Sequence, residues 1–138
     1  GGGDRVEALR EFGRSFGTAY QHVDDLLGIW GRPDITGKSV HSDLRSRKKT
    51  LPVVAALSSN SPQGRDLRDL YLREEELSEV EIVRAAELVD AAGGRRWSRE
   101  QAEALLARAL DTLCSADPAP RPMEELSTLA RFAVHRTN

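Results

Sequence analysis

The sequence predicts an all-α protein, and three observations carry that expectation. Ala, Leu, Glu and Arg dominate while aromatic residues make up only 5% of the chain, a composition that favours helices over sheets. Apolar residues recur at spacings of three and four, and capping and breaking signals punctuate them. No alternating run bounded by turn residues competes as a strand or hairpin. With 138 residues the chain is long enough to bury a real core, so one all-helical domain over residues 1–138 is expected.

Asp4 is a candidate cap for a first helix from about Arg5 to Trp30, a stretch with no proline before Pro33. Gly31, Pro33 and Gly37 then break the chain into a loop. From Thr50 the chain turns apolar through Leu51, Val53, Val54 and Leu57, and Pro52 suits the first turn of a helix that Ser58 to Ser61 ends. Ser61-Pro62 opens a short helix carrying Leu67, Leu70, Tyr71 and Leu72, and the acidic run Glu74 to Glu76 after it reads as a solvated surface. Ser78 with Glu81 forms a capping box for a helix stopping at Gly93-Gly94. Ser98 with Gln101 forms another, opening an amphipathic helix through Ala102, Leu105, Leu106, Ala109, Leu110 and Leu113. Asp117 to Pro122 reads as a connection, and a last helix with Leu126, Leu129, Ala130, Ala133 and Val134 finishes near Arg136.

A net charge of −2 gives no reason to expect nucleic acid or a membrane as a partner. The single cysteine excludes an internal disulfide, and Cys114, following Leu110 and Leu113, reads as a core thiol. No apolar run approaches the roughly 20 residues that span a bilayer, so a cytoplasmic protein is expected.

The stretch from Gly13 to Pro52 is the most informative. On a helix turning about 100° per residue, Leu9, Phe12, Phe16, Tyr20, Val23 and Leu27 form one apolar stripe. Gly13, Gly17, Gln21, Asp24 and Gly28 form a second stripe beside it. Glycine inside a helix costs roughly 1 kcal/mol relative to alanine, so this second stripe is expected to line a pocket. Between Arg32 and Lys49 lie six basic residues against two acids, directly after the Asp24-Asp25 pair. The chain has seventeen arginines but three lysines, and Lys38, Lys48 and Lys49 all fall in this segment. Lysine presents a compact charge on a flexible stem, suited to phosphate oxygens.

The order Gly-x-x-x-Gly-x-x-Tyr20-Gln21-x-x-Asp24-Asp25, then Thr-Gly37-Lys38, Ser-Asp43-Leu44 and Lys48-x-Thr50-Leu51-Pro52, resembles the second aspartate-rich region of the trans-isoprenyl diphosphate synthases, or polyprenyl synthetases. Two departures stand out. Gly28 replaces the third aspartate of the family's second DDxxD motif, and the first DDxxD motif is absent, so the resemblance is to the C-terminal half of such an enzyme. It implies the C-terminal portion of the isoprenoid synthase helical bundle. It also implies Mg2+-dependent prenyl chain elongation, the condensation of isopentenyl diphosphate with an allylic diphosphate. On this reading Asp24 and Asp25 bind metal, Asp24 directly and Asp25 through water or a supporting contact. Lys38 and Lys48 contact diphosphate, and Tyr20 and Gln21 belong to the substrate site. The resemblance further implies a polypeptide bearing the first DDxxD motif as partner and a homodimer in the complete enzyme. A catalytically silent regulatory or structural subunit, and a terpene cyclase on the same scaffold, remain open as alternatives.

Overall fold

The computed structural model describes residues 2–116 and Thr128, and all its regular elements are helices. The expected connection over Asp117 to Pro122 lies outside the described residues, as does the final helix apart from Thr128. Among the described residues seven helices follow in order: α1 (Gly2–Trp30), α2 (Pro33–Thr36), α3 (Ser42–Arg45), α4 (Leu51–Ser58), α5 (Pro62–Leu72), α6 (Glu79–Ala91) and α7 (Gly94–Ala116). The chain groups into two compact units: α1 up to Val23 with α7 from Glu100, and Asp24–Arg99.

Helix α1, whose residues up to Val23 belong to the first unit, ends at Trp30 as expected but starts before Asp4, which therefore lies inside the helix rather than capping it. The buried positions here are Ser15, Ala19, His22 and Val23 on α1 and Ala102, Leu106 and Ala109 on α7. An ion pair of 3.7 Å joins Arg108 to Glu11. The expected apolar stripe holds only toward the end of α1, where Val23 is buried and Leu27 half-buried; before it Leu9 and Tyr20 are exposed, and Phe12 and Phe16 are half-buried, stacked on each other with ring centroids 5.6 Å apart. Small side chains at Ser15 and Ala19 hold the inner positions, which a reading weighted toward large apolar residues passes over. Gly13 and Gly17 face open space, with nothing within 4 Å of where a Cβ would stand. Cys114 is exposed, so the expected core thiol is corrected.

The second unit buries an aliphatic core drawn from Ile29, Leu44, Val53, Ala56, Leu67, Leu70, Leu77, Ile82, Ala85, Leu88 and Val89. Helices α4, α5 and α6 pack on one another, and α3 packs on α6. Their ends follow the capping signals. Pro52 sits in the first turn of α4, and the Ser61 hydroxyl accepts from the Gly64 N–H at 3.0 Å. Ser78 and Glu81 form the reciprocal box that opens α6, satisfying donors the helix itself cannot. Helix α7 begins at Gly94 rather than Ser98, whose side chain is buried inside the helix. Gly93, at φ 90°, supplies the left-handed backbone between α6 and α7, and a Cβ on Gly94 would collide with the Pro52 carbonyl. Glycine at both positions therefore lets a new helix start hard against α4.

Candidate diphosphate and metal site

The two adjacent aspartates near the end of α1 have different surroundings. Asp24 is exposed, whereas Asp25 is 4% exposed and its Oδ2 accepts the Leu51 N–H at 2.9 Å. Leu51 is the first residue of α4, so the Asp25 carboxylate satisfies an otherwise orphaned helix donor and faces the positive end of the helix dipole. Asp25 thereby joins α1 to the Thr50-Leu51-Pro52 segment. The neighbouring Thr50 hydroxyl is buried and has no hydrogen-bond partner among the described residues.

Between these helices the basic loop is held mainly by backbone bonds. Gly37, at φ 73°, closes α2 by donating its N–H to the Pro33 carbonyl at 3.0 Å. The next N–H, that of Lys38, donates to Thr36 Oγ1 at 3.1 Å. His41, at φ 61°, turns the chain back, and its N–H donates to the Ile29 carbonyl at 3.0 Å while the Ser42 hydroxyl donates to the Gly28 carbonyl at 3.4 Å. The loop thus docks on the last turns of α1. Burial and the Arg45 charge hold the His41 imidazole below its ordinary value, against the opposing Glu79 carboxylate. Arg45 and Glu79 form a bidentate pair on the surface.

Docking brings Asp43 over Gly28: a Cβ at residue 28 would overlap the Asp43 carboxylate. Burial raises the Asp43 carboxyl above the usual carboxylate range, Lys48 and Lys38 oppose the rise, and Asp25 and Asp24 add to it. All four expected catalytic residues therefore act electrostatically on one carboxylate. Lys38, Lys48 and Lys49 are exposed. Tyr20 and Gln21 belong to the other unit, and both are exposed there.

Two residues of this site were missed as functional candidates. Asp43 was legible only as part of a motif, and its position over Gly28 depends on a tertiary contact. Tyr71, whose hydroxyl donates to the Lys48 carbonyl at 3.0 Å, looks in sequence like one more apolar residue of α5.

A hard cation is the metal this donor set suits, because its acidic groups are carboxylates. Among the described residues, however, no three His, Cys, Asp or Glu side chains form a group that could hold a metal ion alone. Such residues fit Mg2+ in one manner: a single exposed carboxylate, Asp24, with the remaining ligands from phosphate oxygens and water. No described helix is long and apolar enough to cross a membrane.

Residues 1–89 match the family model of the polyprenyl synthetases. The chain is 45% identical over 133 residues to the (2E,6E)-farnesyl diphosphate synthase of Mycobacterium tuberculosis, covering 94% of this chain and 37% of that protein. It is 44% identical over 116 residues to the geranylgeranyl diphosphate synthase of the same organism, covering 81% of this chain and 33% of the relative. The crystal structure of a polyprenyl synthetase from Streptomyces coelicolor superposes with a TM-score of 0.86 at 39% identity, over 94% of this chain and 40% of that one. The geranylgeranyl pyrophosphate synthase of Corynebacterium glutamicum, in complex with isoprenyl diphosphate and magnesium, gives 0.81 at 29% identity, over 95% and 37%. This chain therefore spans less than half the length of each.

Proposed function

The chain belongs to the polyprenyl synthetase family, and from that premise we propose that it supplies the second aspartate-rich half of a prenyl chain-elongating site. The observation that carries the reading is that the loop docks the Asp43 carboxylate over Gly28, one helical turn beyond Asp24, while Asp25 ties α1 to the Thr50-Leu51-Pro52 segment. In the reaction an allylic C–O bond breaks and its electron pair leaves with diphosphate. The alkene of isopentenyl diphosphate then attacks the allylic carbon, and a proton is lost. Bound Mg2+ would neutralise charge developing on the departing diphosphate.

Each side chain has its own task. Lys38 and Lys48 supply mobile positive charge to the diphosphate oxygens, stabilising negative charge where it grows. Asp24, free of the α4 contact, would hold the metal through its exposed carboxylate. Asp25 holds the start of α4 against α1 through the Leu51 N–H. For Tyr20 and Gln21 a substrate contact is proposed from the motif alone.

The competing reading is a catalytically silent subunit, and Gly28 favours it because the helix lacks the third carboxylate of its motif. The space over Gly28 nonetheless holds the Asp43 carboxylate, which leaves an acidic group beside that position. A complete site requires the first aspartate motif from another polypeptide segment, and the complete enzyme is a homodimer. Incorporation of radiolabelled isopentenyl diphosphate, with an allylic co-substrate, tests the proposal. The purified chain alone is expected to turn over little, and activity should appear when a polypeptide bearing the first DDxxD motif is added. Asp24→Ala should then abolish most of it. Full activity of Asp24→Ala in the reconstituted enzyme would overturn the metal assignment.

A further inference from the structure

We infer that Tyr71 is a positioning residue, one that sets where Lys48 can deliver its charge by fixing the Lys48 backbone. The inference rests on the reading of Lys48 as a diphosphate contact. Lysine has a long, freely rotating stem, so the region its ammonium can reach is defined by where its Cα is held. That Cα lies in a connection with no regular structure, between α3 and α4.

Both main-chain polar groups of Lys48 are tied. Its N–H donates to the Asp43 carbonyl at 2.8 Å, and its carbonyl accepts from the Tyr71 hydroxyl at 3.0 Å. The first bond is local and closes a turn within the loop. The second crosses to α5, whose Tyr71 ring packs against the aliphatic core of the second unit. The hydroxyl therefore transmits the rigidity of the core to a loop that has little of its own.

The residue before Lys48 supports the same picture. Arg47 is held at φ 52°, a left-handed conformation that costs a non-glycine residue free energy and persists only where surrounding contacts enforce it. Its guanidinium donates to the Arg73 carbonyl just beyond the end of α5, and its N–H donates to the Leu44 carbonyl at 3.0 Å. The C-terminal end of α5 thus grips the loop at two successive residues. Burial and the Asp43 charge raise the Tyr71 hydroxyl well above its ordinary value, against the opposing Arg47, so it remains a donor over the whole neutral range.

Tyr71→Phe keeps the ring in the core and removes only the donor, which makes it the informative substitution. Binding of magnesium pyrophosphate is measured by calorimetry on the full chain, on Tyr71→Phe, on Lys48→Ala and on the double variant, with thermal melts alongside. Tyr71→Phe is expected to bind about fivefold more weakly, the scale of one ordinary hydrogen bond. In the Lys48→Ala background the same substitution should have no further effect, a coupling that a merely structural tyrosine would not produce. If Lys48→Ala binds as well as the unsubstituted chain, or that chain gives no heat, the site reading falls and this inference with it. If Lys48→Ala weakens binding while Tyr71→Phe is silent, or acts equally in both backgrounds, the positioning role alone is overturned.

Discussion

The basic loop between α1 and α4 and the α4–α6 scaffold beneath it are stabilised by different means. The scaffold buries Val53, Leu67, Ile82, Leu88 and Val89 almost completely and closes its helix ends with serine caps. The loop contributes only Leu44 to that core and leaves its three lysines exposed. It keeps its shape through left-handed residues at Gly37, His41 and Arg47 and through hydrogen bonds to α1 and α5. Stability and ligand recognition are thereby carried by separate parts of the chain. Apolar burial makes the scaffold a rigid support, and polar, exposed side chains can then be set by backbone geometry without having to be buried themselves.

Breaking the scaffold should give the largest effect. Leu88→Ala empties a fully enclosed site and is expected to cost about 2–5 kcal/mol, read from urea unfolding. A loss below 1 kcal/mol would mean the core tolerates collapse there and is less rigid than its burial implies.

The adjacent aspartates sharpen the comparison at single-residue resolution. Asp25→Ala strands the Leu51 N–H and should destabilise the fold by about 1–3 kcal/mol. Asp24→Ala, at an exposed position, should change stability by less than about 0.5 kcal/mol. Equal unfolding midpoints for the two would erase the distinction between a carboxylate that holds α4 and one that is free for a ligand.

The smallest effect concerns pH. His41 has a lowered native value relative to its reference of 6.5, so as pH falls below that reference the unfolded chain takes up this proton before the folded one does. Its stabilising contribution is therefore present above pH 6.5 and declines as pH drops toward the native value. His41→Asn, which tolerates the left-handed backbone, should flatten that part of the stability curve. An unchanged slope would remove His41 as its source.

The legible parts of this chain were those governed by local rules. The Ser61 cap, the Ser78–Glu81 box, the Pro52 helix start and the end of α1 at Trp30 each depend on residues a few positions apart. The all-helical fold and the family followed from composition and from the motifs between Gly13 and Pro52. What failed depended on packing. The buried face of α1 runs through Ser15 and Ala19, whose small side chains carry no hydrophobic signal, and Ser98 is buried inside a helix because two glycines start α7 earlier. Within the site, the motif named the four charged residues whose roles are proposed above. The engagement of Asp25 with Leu51, the position of Asp43 over Gly28 and the grip of Tyr71 on Lys48 were not, because each joins residues more than ten positions apart.

Asp24 and the loop lysines are proposed to form one diphosphate site in which metal and cation charge act together. Calorimetric titration of pyrophosphate with and without Mg2+ tests it most directly, comparing the unsubstituted chain with Asp24→Ala and Lys38→Ala. Asp24→Ala should lose the enhancement that Mg2+ brings, and Lys38→Ala should weaken binding about tenfold in either condition, with both melting as the unsubstituted chain does. Equal heats in all three proteins would contradict the site.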